Sequence, residues 1–220
     1  MNLFEIMGPI MVGPSSSHTA GAVRIGLIAR RLLGGQPEHA ELLLAGSFSA
    51  TGKGHGTDRA LIAGLLGMQP DDARIPRSHH IAIEEGMLVE LGHTELRGAH
   101  PNSVLMHLTL GEKKLTLQAA SLGGGRVRVE AIDGMEASFS GESPTLIIRN
   151  EDRPGMVGEV SAMLGYHNMN IATMQLYRAH KGGLAVMVLE FDQPVPPILR
   201  QTLEHLPGIR SVTYLELEGA

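Results

Sequence analysis

The stretch Thr145-Leu146-Ile147-Ile148-Arg149-Asn150, followed by Glu151-Asp152-Arg153-Pro154-Gly155 and then by Met156 to Tyr166, decides the fold of the C-terminal part of the chain. Its opening is rich in aliphatic and β-branched side chains and reads as a strand. Pro154 restrains the loop that follows, and Gly155 lets the backbone approach closely. Beyond it Met156, Val157, Val160, Met163 and Leu164 fall on one helical face, so the spacing predicts a helix over 155–166. Further on, Asn170 to Arg178 alternates, with Ala172, Met174 and Leu176 on one side of a strand. Lys181-Gly182-Gly183 is a turn, and Leu184 to Phe191 is a nearly continuous apolar strand. A second helix runs from about Pro196 to His205, its prolines suiting the first turn and Ile198, Leu199, Leu203 and Leu206 supplying its apolar positions. Ile209 to Leu217 is the last strand. The order βαββαβ over residues 145–220 is that of a ferredoxin-like unit.

Upstream, residues 134–144 are small and polar, end in Pro144, and read as a linker. Residues 1–133 form a separate region of mixed helices and strands, which makes the whole chain α+β. Ser16 or Ser17 can cap a helix running to Leu33, which Gly34-Gly35 would end. Glu41 to Phe48 reads as a strand, followed by a glycine-rich loop and a helix from Asp58 to Leu66 that Thr57 could cap. From Met87 to Ile132 the pattern is strands joined by tight turns at Gly111-Glu112-Lys113 and Gly123-Gly124-Gly125.

The composition narrows the function. A chain of 220 residues with 43% hydrophobic and 19% charged residues is an ordinary globular protein. A net charge of -5 and 3% aromatic residues give no basis for binding nucleic acid or an anionic membrane. There is no cysteine, so disulfides, thiol catalysis and thiolate ligation of zinc or iron–sulfur clusters within this chain are excluded. Met1 to Glu5 does not read as a signal peptide, and no apolar run is long enough to span a membrane. The expectation is a soluble, cytoplasmic protein.

Four motifs carry possible chemistry. Gly13-Pro14-Ser15-Ser16-Ser17-His18-Thr19-Ala20-Gly21 sits at a predicted helix start, where hydroxyls, an imidazole and free N–H groups suit a carboxylate or phosphate. The same residues also serve plain helix capping. Thr51-Gly52-Lys53-Gly54-His55-Gly56-Thr57-Asp58 offers accessible N–H groups, the charge of Lys53, and in His55 a proton carrier near neutral pH. It satisfies neither nucleotide-binding glycine pattern, and a flexible loop before a capped helix is the alternative. His100-Pro101-Asn102-Ser103 is by itself a turn signal. The remaining histidines, including His79 and His80, lack metal-ligand spacing. The loop from Asn150 to Gly158, with Asn168-Met169-Asn170 beyond the next helix, could receive a carboxylate on exposed N–H groups or be a simple β–α turn.

These motifs carry two resemblances. Residues 145 to about 218 resemble an ACT domain, the small-molecule sensing module of amino-acid enzymes. In serine-sensing ACT domains the ligand lies at a dimer interface, which by position implies roles for Asn150, Asp152 and Asn170. An amide stands in that pattern where Asp152 stands here, and an acid would pair with a ligand ammonium but repel its carboxylate. Residues 1 to about 133 resemble the beta domain of bacterial iron–sulfur L-serine dehydratases, through Gly13 to Gly21, Gly54 to Asp58 and His100 to Asn102. That domain is similar to the allosteric substrate-binding domain of some D-3-phosphoglycerate dehydrogenases.

The resemblance implies a subunit that helps convert L-serine to pyruvate and ammonia, with a 4Fe-4S cluster. Because this chain has no cysteine, the cluster would sit on a separate cysteine-containing alpha subunit. His55 is the first candidate for general acid/base and His18 the second. Ser15, Ser16, Ser17, Thr19, Lys53, Thr57 and Asn102 are candidates for binding substrate, with no metal ligand in this chain. ACT units commonly pair, so a homodimer with a small amino-acid ligand is expected. The competing reading is a non-catalytic amino-acid or anion sensor acting on another enzyme.

Overall fold

The computed structural model describes residues 11–13 and 15–217; the side chains of residues 51–53 lie outside that description, and so does the reading of Met1 to Glu5. The chain is α+β and divides into two compact units, one ending at Asp133 and one beginning at Gly134. Among the described residues no helix is long and apolar enough to cross a membrane.

In the first unit a π-helical turn, Ser16–Gly21, leads directly into α1 (Ala22–Leu33). Gly34 ends α1 at φ 89, its N–H donating to the carbonyls of Arg30 and Arg31. This is the left-handed C-cap that glycine favours. Then follow β1 (His39–Leu44), α2 (Gly46–His55), α3 (Thr57–Leu65), α4 (Ser78–Glu84) and β2 (Leu88–His93). The antiparallel run comprises β3 (Ser103–Leu110), β4 (Lys113–Gly123) and β5 (Arg126–Ile132), and is continued by β6 (Met135–Phe139), the first strand past the boundary at Gly134. The sheet order is β2-β1-β3-β4-β5-β6, with β1 parallel to β2 and antiparallel to β3. Alternate residues Ala40, Leu42 and Leu44 of β1, Val104, Met106 and Leu108 of β3, and Leu115 and Leu117 of β4 are buried. Burying such side chains stabilises the fold by roughly 1.5–3 kcal/mol each.

Two glycines set how closely α1 and α3 approach. A Cβ on Gly64 would lie 2.1 Å from the carbonyl oxygen of Val23, and one on Gly26 would lie 2.4 Å from that of Leu61. Backbone meets backbone there, the first half of α1 against the second half of α3.

The structure corrects three readings of this unit. The strand expected over 41–48 stops at Leu44, and Gly46 at φ 53 turns the chain into α2, where Phe48 is fully buried. The glycine-rich stretch expected as a loop is the second half of α2; the break falls later, at Gly56 with φ 71. The stretch 134–144 is not wholly a linker, since Met135, Ala137 and Phe139 are buried and Glu136 and Ser138 exposed along β6. That period-two pattern is short and diluted by small residues, which hid it.

The second unit holds β7 (Thr145–Glu151), α5 (Met156–Tyr166), β8 (Ile171–Arg178), β9 (Leu184–Phe191), α6 (Pro197–Glu204) and β10 (Ile209–Leu215). The order β10-β7-β9-β8, antiparallel at every neighbour, is the ferredoxin-like arrangement expected. Its core combines Leu146 and Ile148 with Met156, Val160 and Leu164 of α5, Met187 and Leu189 of β9, and Leu199 and Leu203 of α6. One alternation is corrected in part: Met174 and Leu176 share a face, paired with Leu189 and Met187, but Ile171, paired with Phe191, joins them in place of Ala172. A register shift between Ile171 and Thr173 moves the strand's faces by one residue.

Candidate active site

The π-turn organises the first motif. Ser15, extended at φ -140 and ψ 123, is the cap: its Oγ accepts the His18 N–H at 3.3 Å, so neither Ser16 nor Ser17 takes that role. The same Oγ lies 3.2 Å from His18 Nδ1. Gly21 presses on β4 so closely that a Cβ there would sit 2.0 Å from Ser121 Oγ. Ser17 faces Gly123, where a Cβ would be 3.6 Å from its Oγ. Thr19 is buried beside Gly13, with no hydrogen-bond partner for Oγ1 among the described residues. π-Turns inside helices recur at functional sites because the wider turn re-aims a side chain. Here it turns His18 toward the end of α2.

His55 closes α2, and its exposed imidazole lies with its centroid 5.0 Å from that of His18, the rings inclined at 45°. Phe48, from the first turn of the same helix, backs His18 at 5.3 Å. The two histidines, distant in sequence, therefore form a pair in which one ring is buried and the other open. Burial pushes the His18 imidazole below its ordinary pKa; the neighbouring charge of His55 adds to this, and a hydrogen bond with the Ser47 backbone opposes it.

Thr57 is not the cap expected of it. Gly56 occupies the N-cap, and Thr57 Oγ1 is buried with no hydrogen-bond partner among the described residues. Asp58 accepts from His79 Nε2 at 2.9 Å through Oδ2, while its buried Oδ1 has no partner among the described residues. His79 thus has an acidic partner from another helix, and His80 has one on its own, Glu84, at 3.2 Å. Lys53, named with this motif, lies outside the described side chains.

A cleft of about 180 Å³ opens beside the pair, lined by Gly13, Thr19, His55, Arg59, Ile75 and Pro76 among others. Of the residues expected at the site, the binding candidate Thr19 and the acid/base candidate His55 line it, and His18 does not. Arg59 was not singled out from the sequence. Its signal was present: a cation one residue past the Gly-Thr-Asp run, in the first turn of α3.

His100-Pro101-Asn102 does more than turn the chain. The Pro101 carbonyl accepts the Ser47 N–H at 2.6 Å, and Ser47 Oγ lies 3.5 Å from His18 Nε2. Asn102 itself is committed to β4, its carbonyl accepting from Ser121 N–H at 2.9 Å and its Nδ2 donating to Ser121 O at 3.5 Å.

In the second unit Asn150 is buried, donating to Glu151 O at 2.7 Å, with no partner for Oδ1 among the described residues. Asp152 Oδ2 accepts from Gly182 N–H at 2.9 Å and from Arg178 at 3.2 Å, a staple between the β7–α5 loop and the β8–β9 turn. Asn170 is exposed just before β8. Since Asn150 pairs with Ala185, which pairs with Arg178 at the far end of β8, Asn170 lies at the opposite end of the sheet. The structure brings Asn150 and Asp152 together and leaves Asn170 apart.

Comparison with known proteins places this geometry. Residues 2–85 match the model of the serine dehydratase beta chain, and residues 144–208 match that of the ACT domain. A probable L-serine dehydratase beta chain of Bacillus subtilis is 38% identical over 214 residues, covering 97% of each chain. The chain belongs to the serine dehydratase beta-chain family. The beta chain of the Peptoniphilus asaccharolyticus L-serine dehydratase is 36% identical over 217 residues, again 97% of both. A D-3-phosphoglycerate dehydrogenase of Methanocaldococcus jannaschii is 30% identical over 203 residues, 89% of this chain and 37% of that one. Within this beta chain the matched ranges contain the His18 turn, the His55 motif, Asn150, Asp152 and Asn170, while His100 to Asn102 falls between them.

Proposed function

We propose that this chain is the beta subunit of an L-serine dehydratase, converting L-serine to pyruvate and ammonia together with a cysteine-containing alpha subunit. The observation that carries the reading is the His18–His55 pair at a small cleft, in a chain that aligns with beta chains over nearly its whole length. That identity favours a catalytic subunit over a free-standing sensor. The geometry of the cleft supports a role for each site residue. Arg59, Thr19 and the N-terminal end of α3 would hold the substrate carboxylate at the cleft, where a cation and helix N–H groups favour an anion. His55, open to the cleft, would move the α-proton of serine, and His18 would hold His55 in place from behind. Loss of water gives aminoacrylate, whose imine form takes up water to yield pyruvate and ammonia.

This chain does not fit an iron–sulfur cluster. It has no cysteine, and among the described residues no group of three His, Asp or Glu side chains could hold a metal. In this proposal the 4Fe-4S cluster, and whatever it supplies at the β-hydroxyl, belongs to the alpha subunit. The separation of Asn170 from Asn150 by the length of β8, roughly 23 Å, supports pairing of two ACT units: one ligand can touch both residues only if a second copy contributes one of them.

Anaerobic serine-to-pyruvate turnover tests the reading, with this chain alone, the alpha chain alone, and both together. Activity confined to the mixture is expected. An inactive mixture whose cluster is spectroscopically intact overturns it.

A further inference from the structure

Asp58 closes the Gly54 to Asp58 motif without lining the cleft. An acid in the first turn of α3 is favoured by the positive end of the helix, an attraction that needs no contact and leaves a carboxylate free to face water. The Asp58 side chain is instead only 18% exposed. Its Oδ1 is buried with no partner among the described residues, and its Oδ2 accepts from His79 Nε2 at 2.9 Å. The carboxylate is turned onto α4 rather than out to solvent.

A second bond runs beside this one. Ser78, fully buried, donates its hydroxyl to the carbonyl of Arg59 at 2.8 Å. Two consecutive residues opening α4 thus hold two consecutive residues in the first turn of α3. Immediately upstream, a 3-10 turn, Ile75–Arg77, runs into α4 without a break, and its Ile75 and Pro76 line the same cleft as Arg59. The turn is closed on itself, with Arg77 N–H donating to Arg74 O at 2.8 Å and Ser78 N–H to the Ile75 carbonyl. A cation and an apolar wall of the cleft are therefore tied to each other through the Asp58–His79 and Arg59–Ser78 bonds.

We infer that His79 is a positioning residue: through Asp58 it holds the Ile75–Pro76 wall against Arg59 and so sets the width of the cleft. This gives the last residue of the motif a task at a site it does not touch. The inference rests on the reading of that cleft as the carboxylate site of a dehydratase. The His79 side chain is 40% exposed, so its bond contributes little to global stability and acts on local geometry. His79→Ala removes the donor to Asp58 and leaves the Ser78 bond in place. His79→Gln keeps an N–H donor at nearly the reach of Nε2.

The test combines amide exchange and thermal unfolding of the full chain with serine turnover in the complex with the alpha subunit, for wild type, His79→Ala and His79→Gln. In His79→Ala the Arg77 and Ser78 amides should exchange several-fold faster while the unfolding midpoint hardly moves. In the complex the same variant should raise KM for serine about fivefold, the scale of one weakened polar contact, with kcat little changed. His79→Gln should restore most of the protection and of KM. Unchanged exchange at Arg77 and Ser78 in His79→Ala overturns the inference, as does an unchanged KM beside faster exchange. A KM raised equally in His79→Gln overturns it too, because the donor to Asp58 would then not be what matters. Exchange that responds as expected beside an inactive wild-type complex sinks the dehydratase reading instead and leaves the joint between α3 and α4 standing.

Discussion

The imidazoles of His18 and His55 stand 5.0 Å apart, one 9% exposed and clamped between serine hydroxyls, the other open at the rim of a cleft. Burial makes a charge on the His18 ring costly, and the His55 charge beside it adds to that cost. The buried ring serves as a fixed neighbour, and the exposed ring is the one that can meet a substrate proton.

That asymmetry predicts unequal mutational effects. His55→Ala, assembled with the alpha subunit, should lose about 10²–10⁴-fold in kcat while assembling normally, the usual contribution of a positioned acid/base. Steady-state turnover and size-exclusion chromatography of the same preparation check this. Near-normal turnover would remove His55 from the role.

Arg59 lines the cleft as an exposed cation, so it should act on binding more than on chemistry. Arg59→Met is expected to raise KM for serine roughly tenfold, about the 1.4 kcal/mol of one charge-assisted contact, with kcat little changed. A fall in kcat at unchanged KM would place Arg59 on the reacting atoms instead.

The lowered pKa of His18 has a consequence for stability. Burial is the main cause, with the His55 charge adding and the Ser47 backbone hydrogen bond opposing. The folded state therefore binds fewer protons here than the unfolded chain on acidification. The stabilisation from a neutral His18 is full above the unfolded value of about 6.5 and is lost as pH falls through that value toward the folded one. Urea unfolding at about pH 7.5 and pH 5 should give a smaller pH difference for His18→Gln than for wild type. An equal difference would show that His18 is not the linked group.

Much of this architecture was legible in the sequence because its signals are strong and local. The βαββαβ order followed from apolar spacing, and the end of α1 from Gly34-Gly35. What escaped depended on tertiary contacts. α2 runs through Gly52 and Gly54, residues that signal a loop, because the burial of Phe48 and the Pro101–Ser47 bond hold its first turn. Within the site, the motifs named His18 and His55, but Arg59 and Ser47 became visible only when the fold brought the cleft and the Pro101 carbonyl to them.

The glycines of the helices should separate by environment. Gly64→Ala drives a Cβ to 2.1 Å from the Val23 carbonyl oxygen and should destabilise by about 1–3 kcal/mol through a forced shift of α1 against α3. Gly158, in α5 with open space around its Cβ position, should respond oppositely, Gly158→Ala stabilising by about 0.4–1 kcal/mol. Thermal unfolding of the two variants side by side reads both signs. A neutral Gly64→Ala would mean that the helices are not held by this contact.

Asp152 offers a test of whether the ACT loop is closed by its own chain. Its carboxyl is held below the usual carboxylate range first by the Gly182 N–H and then by Arg178, with partial desolvation opposing and the His180 charge assisting. A carboxylate with a depressed folded pKa stabilises the fold above the unfolded value of about 3.9 and loses that contribution as pH falls through the folded value. The staple joins the β7–α5 loop to the β8–β9 turn, so cutting it should loosen both. Asp152→Ala is expected to speed exchange of the Gly182 amide and its neighbours, and Asp152→Asn, which keeps an acceptor oxygen but not the charge, should fall between. Amide exchange at neutral pH checks this directly. Protection unchanged in Asp152→Ala would mean that the turn is held by the Asp152 N–H to Gly183 O bond alone, 2.8 Å long, and would return the Asp152 carboxylate to the list of groups free to meet a ligand ammonium.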